Sequence, residues 1–160
     1  MWTLVAIIAA IGLPVFLAYV LVAADMRPDL SDLKPREEQP AGTPPVIGWP
    51  HIEPLLYTTV RMLGYMMDGY KPSRDGDPVE VFILLPDAGQ LLHPAHRISD
   101  QMVEIRLRRA MAFQFRRLVW ASGNLSSTGA RPHSDRAAWA MTDAEVTPAG
   151  DHEITRWFTP

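Results

Sequence analysis

Residues Met1–Ala24 carry no charged side chain, and this stretch constrains the chain more than any other feature. Its apolar run Leu4–Ala24 exceeds the ~20 residues that cross a bilayer core as helix, at about 1.5 Å per residue. Trp2 and Tyr19 suit headgroup level, and Pro14 removes a backbone hydrogen bond mid-span and kinks the helix. A cleaved signal peptide competes, with small residues at Val22-Ala23-Ala24, but no Lys or Arg precedes the apolar run. We therefore expect a retained single-pass anchor over residues 1–25. Arg27, Lys34 and Arg36 follow it, so the positive-inside rule points weakly to a cytoplasmic domain.

Residues 26–50 form a proline-rich linker with Pro28, Pro35, Pro40, Pro44, Pro45 and Pro50. Such a stretch cannot propagate a helix and should run extended. It has little apolar content with which to fold alone, and prolines donate no ladder hydrogen bonds. Either it is a spacer, or it is a strap held on partner subunits through Lys34, Arg36, Ile47, Trp49 and the charged run 34–38.

The whole chain has 160 residues, 48% of them hydrophobic and 21% charged, which excludes wholesale disorder. Cysteine is absent, so disulfides, thiolate zinc sites, iron–sulfur clusters and a cysteine nucleophile are excluded together. The net charge of −3 argues against polyanion binding by the whole chain.

Residues 51–150 are long enough for one small domain, followed by a tail over 151–160. In Met102–Arg108, Val103, Ile105 and Leu107 share one face, and Glu104, Arg106 and Arg108 the other, the pattern of a half-buried strand. Val79–Leu85 reads as a buried strand after the turn Asp75-Gly76-Asp77-Pro78. Thr58–Met67 reads as a strand with Gly64 as bulge or bend, Leu118–Ala121 as another, and Ala138–Val146 as the last. Short helices are expected at His51–Tyr57 or Arg109–Phe115. About five short strands between turns predict a mainly β fold, a small antiparallel barrel or sandwich.

The chain also carries Gly64-Tyr65-Met66, Phe82-Ile83-Leu84-Leu85-Pro86, Gly89-Gln90-Leu91-Leu92-His93-Pro94, Gln101-Met102-Val103 and Trp120-Ala121-Ser122-Gly123-Asn124-Leu125. In order and spacing these resemble a family of small exported bacterial proteins of unknown function, over about residues 58–147. The resemblance implies an OB-like barrel of about five strands and a periplasmic domain on the bacterial inner membrane. Leu91 stands where the family commonly has cysteine, and Asp100 where it has asparagine, so a Cys/His metal role is not implied.

Few side chains invite chemistry. His93 and His96 form an i,i+3 pair near Asp87 and Asp100, a weak metal candidate because Pro94 disfavours the helix that would align them. Arg106, Arg108, Arg109, Arg116 and Arg117 make the only basic cluster, beside Phe113, Phe115 and Trp120. An acidic partner, lipid headgroups or plain solvent fit it better than nucleic acid in an exported domain. Ser122, Ser126 and Ser127 lack a hydrolase context, and Asp143, Glu145, Asp151 and Glu153 read as a solvated face.

The expectation is therefore a non-catalytic accessory subunit of a multi-subunit membrane complex, energy-transducing in kind (respiratory or a photosynthetic reaction centre). It would clamp partner subunits beside the bilayer and carry no cofactor. The alternative is a membrane-anchored periplasmic binding module for a small ligand or metal.

Overall fold

Where apolar residues alternate or run together, the chain forms strands. The computed structural model describes residues 27–52, 57–88, 101–130 and 136–159. The apolar run 4–24 and the His93–His96 loop lie outside them. In chain order the elements are β1 (Lys34–Pro35), a 3-10 turn (Trp49–His51), β2 (Thr59–Met67), β3 (Pro78–Leu85), β4 (Val103–Ala112), β5 (Leu118–Ser127), β6 (Trp139–Pro148), α1 (His152–Trp157) and β7 (Phe158–Thr159). The long strands close into a barrel in the order β2-β3-β4-β6-β5. This bears out a mainly β chain with a five-stranded barrel, and the connectivity is consistent with an OB-like domain.

The barrel is not antiparallel throughout: β4 and β6 run parallel. The reason is parity. In a closed ring of five strands, directions cannot alternate all the way round, so at least one neighbouring pair must be parallel. The β4–β5–β6 excursion puts that pair where β6 inserts between β4 and β5.

Register sorts the side chains. Met66 pairs with Leu84, Leu84 with Val103, and Phe82 with Ile105, and all of these are buried. Tyr65, Leu85, Leu63 and Trp120 alternate with them and belong to the opposite face, yet they are buried too. Both faces of β2 are covered, so its alternation disappears into a continuous apolar run. Leu107, expected inside, is only partly buried. Arg109–Phe115 is not a helix: β4 runs to Ala112 and a loop follows.

The second cover is the proline-rich segment. Leu30, Val46, Ile47 and Trp49 are 2–7% exposed and join the same core as the barrel. Ile47 and Trp49, expected to face a partner, are thus buried against the chain's own strands. The physical reason lies on the edge of β2. That strand pairs with β3 only over Tyr65–Met67, which leaves its first half with an open edge. The strap fills that edge: Ile47 N–H donates to the Arg61 carbonyl (3.0 Å), and Arg61 N–H to the Pro45 carbonyl (2.9 Å). Elsewhere too the prolines serve as acceptors. The Tyr65 hydroxyl donates to the Pro28 carbonyl (2.8 Å), and Leu30 N–H to that of Pro86 (3.0 Å). Burial, then Asp151, push the Tyr65 phenol up to about 12, so it keeps the proton it donates. The Gln39 amide brackets Val46, accepting its N–H at 2.7 Å and donating to its carbonyl at 2.9 Å.

The C-terminal segment packs back on the strap. β7 pairs with β1, and Arg36 N–H donates to the Trp157 carbonyl (2.9 Å). The Arg36 guanidinium reaches the Thr155 carbonyl (3.0 Å), whereas Lys34 is exposed.

Two glycines of the resemblance motifs turn out to be clearances. A Cβ on Gly64 would lie 2.6 Å from Leu84 Cγ, so Gly64 is a close approach within an unbroken β2–β5 register and not a bulge. A Cβ on Gly123 would lie 2.6 Å from the Thr142 carbonyl oxygen, at the register shift where β5 meets β6. Backbone cannot yield as a side-chain tip can. Gly123→Ala is expected to cost about 1–3 kcal/mol, read as a lower urea midpoint with an unchanged slope. An unchanged midpoint would show that this bulge has room to spare.

Candidate functional site

β3 and β4 present their outward residues side by side: Val81 pairs with Arg106, and Ile83 with Glu104. Alternation alone puts Glu104 on a solvent face. Two loops make it otherwise. The β2–β3 connection crosses this face at Gly69, where a Cβ would sit 3.3 Å from the Val81 carbonyl oxygen. It is shaped by Asp68, which accepts the Ser73 N–H (3.0 Å), and by Gly76 at φ +92°. The β5–β6 connection is tied at its base by Thr128, whose N–H donates to the Ala138 carbonyl (2.9 Å) and whose hydroxyl donates to that of Ala137 (2.6 Å). Tyr70 joins the two loops, its hydroxyl accepting the Ala137 N–H at 3.4 Å.

Beneath them lies a cleft of about 1050 Å³, lined on its polar side by Tyr70, Lys71, Glu80, Glu104, Arg106 and Arg136 and on its apolar side by Val79 and Val81. Its size matches the upper end of small-molecule sites, roughly 300–1,000 Å³. Glu104 is the sole buried charged residue among those described, at 7% exposure. Its carboxylate accepts the Arg106 Nε–H at 2.6 Å. The Tyr70 phenol lines the same cleft. Burial of the phenol, then the influence of Glu104, raise the Tyr70 pKa above its ordinary value. Arg106 spends Nε on Glu104, and its side chain is 58% exposed. Three cations face two carboxylates around the cleft, so the lining carries one net positive charge. The arrangement pre-orients a guanidinium toward an incoming anionic group, at a wall with both apolar and polar parts.

The basic cluster of the sequence divides in three dimensions. Arg106 enters the cleft, Arg108 forms an exposed pair with Glu145 (3.4 Å), Arg109 is exposed on β4, and Arg116 and Arg117 lie in the β4–β5 loop. Sequence reasoning missed Tyr70, Lys71, Glu104 and Arg136 as a group, because loops far apart in sequence bring them together. The one available signal was a Gly-Tyr-Lys loop beside the strand pair that OB-like barrels use for binding. His93 and His96 lie outside the described residues. Among the described residues no group of three or more His, Asp or Glu side chains is placed to hold a metal.

No family model matches the chain, and no curated protein matches it. Among solved structures it is similar to a DUF3299 family protein from Pseudomonas aeruginosa, at 21% identity and a TM-score of 0.46, covering 76% of this chain and 93% of that one.

Proposed function

We propose that the chain is a non-catalytic binding module, carried on a bacterial inner membrane by its N-terminal segment and presenting the β3–β4 cleft to a small polar ligand with an anionic group. The observation that carries this reading is Glu104, buried in the lining of the cleft and paired with Arg106. A buried carboxylate is costly unless it is paired and hydrogen-bonded, and here its pairing fixes an arginine that lines the cleft and stays 58% exposed. In OB-like barrels this same strand pair, with the loops beside it, is the binding face. The accessory-subunit reading drew on a strap that needed outside support. The barrel supplies that support itself, so the cleft reading comes first.

The test is titration of the full chain in lipid nanodiscs with succinate, glucose 6-phosphate and maltotriose, followed by ligand-observed NMR. At least one anionic probe is expected to saturate. Arg106→Ala should weaken it about 30-fold, the loss of one charge-assisted hydrogen bond worth about 2 kcal/mol. Binding of maltotriose alone would replace the anionic ligand with a neutral glycan. Equal binding by Arg106→Ala would move the site elsewhere.

A further inference from the structure

The described chain opens where the β4–β5 loop turns. The Arg27 guanidinium donates to the Arg116 carbonyl. Around this contact lies a depression of about 590 Å³, lined by Arg27, Arg116, Arg117, Phe113, Phe115 and Asp75 among others. Three cations thus face one carboxylate, and Asp75 is already engaged, accepting the Phe115 N–H at 2.6 Å. Phe115 is 43% exposed, one of few large apolar side chains left outside the core. Arg116 sits at φ +59°, a backbone conformation that favours glycine, so a long cationic side chain occupies a turn position where the backbone prefers none.

Chain length sets where this loop can be. Ala24 ends the apolar run, and Arg27 follows three residues later, a reach of at most ~11 Å for extended chain. The polar layer of a bilayer is roughly 5–7 Å deep on each side. If residues 4–24 span the membrane, as the function proposed above requires, Arg27 stays in or just above the headgroups. The barrel stays close as well, because the next residue, Pro28, accepts the Tyr65 hydroxyl (2.8 Å), and the Arg27 side chain meets the β4–β5 loop.

We propose that the β4–β5 loop is a membrane seat: Arg27, Arg116 and Arg117 bind the phosphate of an anionic phospholipid headgroup, and Phe115 enters the interface. The inference rests on the anchor reading. Tethering restricts the occupant, because a surface held this close to the bilayer meets lipid before it meets any soluble partner. Arginines around an exposed aromatic ring are the side-chain chemistry of an interfacial anchor. The seat also orients the cleft. β5 climbs from Leu118, beside the loop, to Ser127, roughly 30 Å away at strand rise, and the β5–β6 loop that borders the cleft begins there.

The chain lacks cysteine, so one introduced thiol can be labelled alone. Gln114→Cys places a nitroxide in the loop, and Ser127→Cys places a control at the far end of β5. Both are made in the full chain, reconstituted into nanodiscs of phosphatidylglycerol or of phosphatidylcholine. The readout is collision with oxygen against collision with a water-soluble nickel chelate. In anionic discs the loop label is expected to be shielded from nickel about five-fold or more relative to Ser127→Cys. Each arginine at an anionic surface accounts for about a five-fold shift. Adding Arg116→Gln and Arg117→Gln should therefore shift the seated population by about 25-fold and expose the label. Should that variant fail to fold, high salt on the unaltered loop must expose it as well. Equal nickel access at both positions, with the protein still in the disc, overturns the seat and leaves the anchor standing. Equal shielding in neutral and anionic discs overturns the headgroup assignment. A chain that fails to enter the disc overturns the anchor reading, and the seat with it.

Discussion

Trp120→Ala should lower the unfolding free energy by about 4 kcal/mol and release both ends of the described chain together. Trp120 is 3% exposed on β5. Its ring stacks on Phe158 (centroids 6.1 Å, planes 15° apart) and meets Trp157 edge-on (6.0 Å, 78°). The Arg61 guanidinium lies 4.2 Å from the ring centroid. Aromatic pairs contribute about 0.5–1.5 kcal/mol each beyond area burial, and a partly desolvated cation–π contact a comparable amount. One truncation removes all three. The consequence spreads because β7 pairs with β1 over only two residue pairs, far too few to persist without the Phe158 anchor. Limited proteolysis within residues 31–45 should therefore accelerate in parallel with the loss of urea stability. Trp120→Phe should cost much less. Its ring can still stack, and the buried indole N–H it deletes has no acceptor among the described residues. Lost stability with an unchanged proteolysis rate would uncouple the strap from this cluster.

The barrel was legible because its strands obey simple periods. Val103 and Ile105 against Arg106, and the unbroken run Phe82–Leu85, state their faces outright. The parallel β4–β6 pair was not legible, because it follows from ring closure and no local pattern encodes it. The strap's packing on the barrel was not legible for a different reason. Composition counts side chains, and the strap is poor in apolar ones, but its bonding relies on carbonyls. Proline lacks a donor yet keeps its acceptor, and Pro28, Pro45 and Pro86 each receive a hydrogen bond from within the chain. Glu104 shows a similar limit: its period correctly places it outward, and only the loops carrying Tyr70 and Ala137 decide that outward is not exposed. The resemblance motifs read as construction. Gly64 and Gly123 give clearance, Tyr65 holds the strap, Trp120 anchors the C-terminal segment, and Leu125 fills the core. The cleft residues lie outside those motifs, so a motif-led reading passes over the site.

Trp49→Ala carries the second large effect, and it decides whether the strap belongs to the domain or to a partner. Trp49 is 7% exposed, and its indole N–H donates to the Leu63 carbonyl at 3.0 Å. It starts a turn just after Gly48, where a Cβ would lie 2.5 Å from the Leu33 carbonyl oxygen, so two passes of the strap cross there with no room between them. Truncation leaves a cavity in a place that close packing keeps from collapsing, and it leaves a carbonyl short of a donor. The expected loss is about 4 kcal/mol, a large share of the 5–15 kcal/mol that holds most domains together. Loosening should run into β2 through Ile47 and Pro45, which cover its open edge. Hydrogen exchange on the full chain in detergent is expected to show Arg61 N–H losing protection, because its acceptor is the Pro45 carbonyl, while amides in the β5–β6 ladder keep theirs longer. If the isolated variant keeps its stability and its Arg61 protection, yet loses proteins that co-purify with the unaltered chain from gently extracted membranes, then the strap works as a docking element. The accessory-subunit reading would then displace the binding module.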